Sequence, residues 1–171
     1  MERPRWFVDF EASGIAPDSC PLEIAVVAAD FEYQALIRPA YYWTHRSFDA
    51  QDMHGISREN LFAIGLEPSL IAAELNVRLE DARLCSDYPQ DGFWLDTLYE
   101  AAGVEATFEL LPLESFVGRS GANQIYRLFP IGTPTELFPM PSPNDGYAGV
   151  PRLEYRSAHS DTGISLVAYL L

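Results

Sequence analysis

The chain of 171 residues contains no lysine: all 11 basic residues are arginine, set against 25 Asp and Glu, for a formal net charge of −14. So acidic a chain is a poor general binder of nucleic acid, because affinity for a phosphate backbone rests on neutralising contacts. A long duplex track is disfavoured; a footprint of a few nucleotides of single strand is not. Cysteine is scarce, with only Cys20 and Cys85 present, too few for a disulfide framework. No apolar run reaches the ~20 residues a membrane helix requires. The opening Met-Glu-Arg-Pro-Arg-Trp shows neither the apolar stretch nor the cleavage site of a signal peptide. The expected location is therefore the cytoplasm, with no membrane partner.

What is present is ordinary for a globular protein, with 48% hydrophobic and 21% charged residues. The length suits one domain over residues 1–171. Trp6-Phe7-Val8-Asp9-Phe10 reads as a short strand closed by Gly14, followed by strands over 22–28 and 33–38. The connection at 29–32 is short enough for an antiparallel meander. The period then changes. Ser57 is placed to cap a helix over 57–62, and Pro68 opens one running to about residue 79. A strand at 83–86, a helix over 92–102 stopped by Gly103, a strand at 107–111 and a helical stretch at 113–129 interrupted by Gly118 and Gly121 follow. Residues 130–152 form a Pro/Gly-rich excursion, and 157–171 read as a closing helix. Three antiparallel strands followed by alternating helix and strand describe an α/β mixed sheet flanked by helices.

Asp9 and Glu11 stand two apart on a strand, so their side chains share one face while Val8 and Phe10 take the other. Such a pair is either solvated on an edge strand or gathered around a hard divalent cation, Mg²⁺ or Mn²⁺, bound through oxygen. A second acidic group lies at Asp87 and Asp91, ahead of Trp94-Leu95, and a third acidic position is Asp161.

These segments carry a resemblance. Val8-Asp9-Phe10-Glu11-Ala12-Ser13-Gly14 is similar to the first signature of the DEDD, or DnaQ-like, 3′–5′ exonucleases, in which Asp-x-Glu precedes small hydroxyl residues and glycine. The run from Ser86 to Leu95 resembles the second, with Asp91 at the metal-binding aspartate and Asp87 where asparagine is usual. The segment from Arg156 to Asp161 resembles the third, and Met53-His54-Gly55-Ile56-Ser57 is similar to a segment of ribonuclease T and the polymerase proofreading exonucleases. The resemblance implies an RNase H-like fold and phosphodiester hydrolysis at single-stranded DNA or RNA 3′ ends. It implies two Mg²⁺ or Mn²⁺ ions about 4 Å apart, held by Asp9, Glu11, Asp91 and Asp161. Two such ions would cancel four of the chain's negative charges. The resemblance also implies substrate contacts at Ser13, His54, Trp94 and Arg156, and pairing as a homodimer.

One position departs from the pattern. Arg156 stands where the family carries its general-base histidine, and arginine stays protonated, so it can clamp a phosphate but cannot take a proton. His159, one helical turn on, is the substitute base to expect, unless it is a surface histidine outside the chemistry. The sequence thus leaves a metal-dependent 3′–5′ exonuclease beside two alternatives. One is a catalytically weakened RNase H-like module that binds nucleic acid or protein. The other is a phosphodiesterase of dinucleotides, which the acidic surface would tolerate best. The cluster Tyr41, Tyr42, Trp43, His45, Arg46 and Phe48 offers either base-stacking rings or a structural loop, and Arg119, Arg127 and Arg152 either phosphate contacts or a solvated face.

Overall fold

The computed structural model describes residues 5–128. Its elements, in chain order, are β1 (Trp6–Ala12), β2 (Pro21–Ala28), β3 (Phe31–Leu36), α1 (Phe48–His54), α2 (Arg58–Ile64), α3 (Pro68–Arg78), β4 (Arg83–Ser86), α4 (Gln90–Ala102), β5 (Glu109–Pro112) and α5 (Glu114–Leu128). The five strands form one sheet in the order β3-β2-β1-β4-β5. β1, β2 and β3 pair antiparallel, whereas β1–β4 and β4–β5 pair parallel. The expected meander followed by alternating helix and strand is what the chain builds. The expected excursion at 130–152 and closing helix at 157–171 lie outside the described residues.

Alternation along β1 sorts the sheet into two faces. Val8, Phe10 and Ala12 join Leu22, Ile24, Val26 and Leu84 in the main core, closed from above by Ile71 and Leu75 of α3 and by Trp94, Leu95 and Leu98 of α4. Phe7, Val27 and Cys85 point to the other face, under Leu113, Phe116 and Ala122. The smaller core covers only part of that face. Asp9 and Glu11 lie further along β1 on the same side as Phe7, with Asp9 opposite Ala25 and Glu11 opposite Glu23. Both cysteines are buried and unbridged.

The helix ends follow local chemistry. Ser57 accepts from the Asn60 amide at 3.1 Å, the expected N-cap, and Gly103 ends α4 in the left-handed region at φ 70°. One helix is new relative to the sequence reading. Ser47 caps the Ala50 amide at 3.2 Å and Gly55 terminates α1 at φ 70°, so the aromatic loop runs into a helix of seven residues. In α5, Gly118 takes φ 70°, ψ 163° and breaks the helix into two segments, as the glycine had suggested; Gly121 does not interrupt it.

Asn76 fastens α3 to the approach into β5. Its Nδ2 donates to the Glu105 carbonyl at 2.8 Å, and its Oδ1 accepts from Tyr99 Oη at 3.0 Å and from the Thr107 amide at 3.1 Å. Asn76→Ala strips all three bonds from one side chain, and because the site is partly wet the expected cost is ~2 kcal/mol, read as a lower urea midpoint at unchanged slope. A shift below about 0.5 kcal/mol would mean that water replaces the side chain.

Candidate functional site

The C-terminal end of β1 and the start of α4, the helix entered from the neighbouring parallel strand β4, bring acidic side chains together. Asp91 sits in the first turn of α4, where the helix dipole favours a negative charge. It is 0% exposed. Ser86 Oγ, accepting from the Tyr88 amide at 3.1 Å, donates to Asp91 Oδ2. Asp91 Oδ1 is buried with no hydrogen-bond partner among the described residues, an orphaned acceptor of the sort that native interiors rarely keep.

Burial and mutual repulsion raise the proton affinity of the group. Asp9 keeps some surface in contact with solvent but is densely enclosed by protein. Its carboxyl is held well above the usual range, first by burial and then by the charges of Asp91, Glu11 and Asp87, with a hydrogen bond from the Phe10 backbone opposing. Asp91 is pushed up to about 7, mainly by burial, with Asp87 and Glu11 adding and the Ser86 bond opposing. Asp87 rises to about 6 through burial. Among the described residues no three carboxylate, imidazole or thiol side chains close on one point at metal-ligand spacing. Asp9, Glu11, Asp87 and Asp91 lie instead within coulombic reach of one another.

Beyond β1 the chain turns through Ser13 and Gly14. The Ser13 hydroxyl accepts from the Cys20 amide at 3.0 Å and meets His45 Nδ1 at 2.8 Å. Gly14 has φ 147°, and a Cβ there would lie 2.7 Å from His45 Cε1, so the close seating of the imidazole requires glycine. His54, at the end of α1, is buried, and its Nδ1 accepts from the Ile56 amide at 3.0 Å.

Trp94 is not at a ligand-facing surface. It is 4% exposed, donates from Nε1 to Ser19 Oγ at 3.0 Å and packs against Phe10 and Tyr88. It supports the helix that carries Asp91 from beneath. Trp43 is likewise core, while Tyr41, Tyr42 and Phe48 are exposed, with the Arg46 guanidinium lying over the Phe48 ring. Arg156, His159 and Asp161 lie outside the described residues, as do Arg152 and the side chain of Arg127. Arg119 is exposed.

No family model matches the chain, and no curated protein matches it. Solved structures do. Exonuclease I in complex with the inhibitor BCBP superposes with a TM-score of 0.58 at 14% identity, over 99% of this chain and 40% of that one. The zinc ion bound form of the E. coli exonuclease I–ssDNA complex gives 0.55 at 16% identity, over 82% and 33%. The E. coli enzyme in complex with a dA16 oligonucleotide gives 0.52 at 14% identity, over 67% and 30%. The fold is RNase H-like. The chain spans well under half the length of these exonuclease I structures.

Two further residues stand out: Glu23, which no motif marked, and His45, which the sequence offered only as part of an aromatic cluster. Glu23 is 4% exposed, lies directly across from Glu11 and accepts from Gln34 Nε2 at 2.7 Å. Its signal was the tight β1–β2 register, hidden because Glu23 falls inside an apolar run. His45 reaches Ser13 across 32 residues of chain, a contact made by a loop and so without any periodic signature. Among the described residues no helix is long and apolar enough to cross a membrane.

Proposed function

We propose that the chain, as one domain over residues 1–171, is a metal-dependent nuclease that hydrolyses phosphodiester bonds at 3′ ends of single-stranded DNA or RNA. The observation that carries this reading is the Asp91 carboxylate, fully buried with one oxygen unpartnered among the described residues, and raised in proton affinity first by that burial and then by the acidic neighbours Asp87 and Glu11. Burying several anions together is costly unless a positive charge joins them. An all-oxygen donor set of this kind fits Mg²⁺ or Mn²⁺. Asp9, Glu11 and Asp91 would hold the metal, with Asp161 as the fourth ligand. The bound metal would supply Lewis-acid stabilisation of phosphoryl charge and a water acidic enough to attack at neutral pH.

The remaining roles belong to the protein. Ser86 orients Asp91 by donating to Oδ2, leaving Oδ1 directed elsewhere. Ser13 and His54 lie along the chain path leading away from β1 and contact the strand being trimmed. Trp94 acts through the helix it supports, not by touching substrate. Arg156 clamps a phosphate and His159 takes the proton of the attacking water. Exonuclease I structures hold single-stranded DNA oligonucleotides, which supports a single strand as substrate.

The test is a single-stranded oligonucleotide labelled at its 5′ end and incubated with Mn²⁺. Wild-type protein should shorten it stepwise from the 3′ side, and EDTA or Asp9→Ala should stop the reaction. Failure of the wild type to release any nucleotide, with either metal and with DNA or RNA, would leave the weakened binding module that Arg156 favours. Cleavage confined to dinucleotides would select the small-molecule phosphodiesterase, and a sedimentation run would decide homodimer against monomer.

A further inference from the structure

Ser13, two residues past Glu11, opens onto a pocket whose wall is part apolar, from Leu22, Ile56 and Leu61, and part polar. Its polar side includes Ser13, His45, Arg46, Gln51, His54 and Arg58, and no carboxylate lines it. The Ser13 hydroxyl bridges the Cys20 amide and His45 Nδ1. His54 Nδ1 accepts from the Ile56 amide, which puts the His54 proton on Nε2. His54 is 6% exposed and burial lowers its proton affinity, keeping the ring neutral. Its Nε2 is buried beside the Ala12 carbonyl, a weak hydrogen-bond acceptor that opposes the effect of burial at a geometry short of a full hydrogen bond.

Arg46 bonds Gln51 Oε1 at 3.1 Å and Arg58 bonds the Trp43 carbonyl at 2.9 Å. Their guanidinium groups lie over the rings of Phe48 and Phe62, and among the described residues neither forms an ion pair. A chain of net charge −14 thus keeps its carboxylates out of one pocket and places two arginines and two imidazoles along it. Two guanidinium groups without a carboxylate partner among the described residues call for an anion, and a phosphodiester is such a ligand.

We infer that this pocket is a phosphate subsite that takes an uncleaved phosphodiester of the same strand whose adjoining linkage is held at Asp9, Glu11 and Asp91. The inference rests on the nuclease reading for the identity of the strand. Arg46 and Arg58 supply the charge, and His54 lines the same pocket. Phe48, exposed and capped by Arg46, offers a surface for a base.

Two measurements test it on the full chain, both without turnover. The first is fluorescence anisotropy of a labelled dT6 in EDTA, with one linkage at a time replaced by uncharged methylphosphonate. Neutralising one particular linkage, and Arg46→Gln, should each weaken binding by about tenfold, and the two together by no more than either alone. Arg78→Gln, an exposed change on α3 outside the pocket lining, should leave the pattern as in wild type. Losses that multiply at every linkage would overturn the inference. The second follows the imidazole ¹⁵N signals of His45 and His54 as inorganic phosphate is added. A saturable shift at His54, abolished by Arg46→Gln and retained in Asp9→Asn, is expected; no saturable shift overturns the pocket's anion preference. Phosphate that binds without any linkage coupling overturns the strand assignment. A working pocket on a protein that cleaves no strand would sink the nuclease reading alone, and cleavage without coupling would sink the pocket alone.

Discussion

Asp91→Asn will melt at a higher temperature than wild type in EDTA at pH 8 and will hydrolyse phosphodiesters at least about 10³-fold more slowly with Mn²⁺. The two effects have one cause. Asp91 has its proton affinity raised to about 7 and Asp87 to about 6, both chiefly by burial. A carboxyl with a raised folded-state pKa contributes stability that is fully present below its unfolded value, near 4, and is lost as pH climbs through the folded value. The metal-free wild type should therefore lose stability from Asp91 across pH 4 to 7, on the order of 4 kcal/mol before relaxation of the cluster. Asparagine keeps an oxygen for Ser86 and removes the charge, so the difference between variant and wild type should vanish at pH 4 and grow to several degrees in Tm by pH 8. Added Mn²⁺ should reverse the order at pH 8, because only the wild type gains by binding it. A variant that melts lower than wild type in EDTA at both pH values would show that Asp91 is paired with a cation of the protein itself, and the metal reading would fall.

Trp94→Ala carries the largest expected cost in folding. The ring is 4% exposed, touches Phe10 of β1 and Tyr88 ahead of α4, and satisfies its N–H on Ser19. Truncation leaves a cavity between sheet and helix and strands the Ser19 hydroxyl, for an expected ~4 kcal/mol. That is a large share of the roughly 5–15 kcal/mol that holds a domain together. Trp94→Phe should recover most of the loss, since the remaining deficit is one hydrogen bond and part of a ring. Urea denaturation of the three proteins gives the comparison. An alanine variant within about 1 kcal/mol of wild type would contradict the packing described here and return Trp94 to the ligand-facing role expected from its motif.

Trp94 also shows where the sequence was and was not informative. Its place on a helical stripe with Leu95 and Leu98 was legible, because the 3.6-residue period marks a buried face. Whether an aromatic on such a stripe faces a ligand or a core depends on what lies beneath, and periodicity carries no record of Phe10 or Ser19. The strands were readable for a related reason: Val8 and Phe10 alternate with Asp9 and Glu11, so one face identifies itself as interior. Ser57 announced its helix by capping chemistry. α1 gave no comparable signal, since Phe48 and Met53 remain exposed and seven residues make no apolar stripe; only Ser47 and Gly55 marked its ends. The convergence of Asp91 on Asp9 followed from the motif order, whereas Glu23 and His45 depended on register and loop path.

The two thiols have a practical consequence. Cys20 belongs to the main core and Cys85 to the smaller one beneath α5. Each is 1% exposed, and burial raises the proton affinity of both, that of Cys85 to about 12. The reactive thiolate is therefore withheld on both counts while the sheet stays covered. Alkylation becomes a clock for opening, with separate hands for the two sides of the sheet. Equal labelling rates would mark one cooperative unit, and faster labelling at Cys85 would mark α5 as the layer that lifts first.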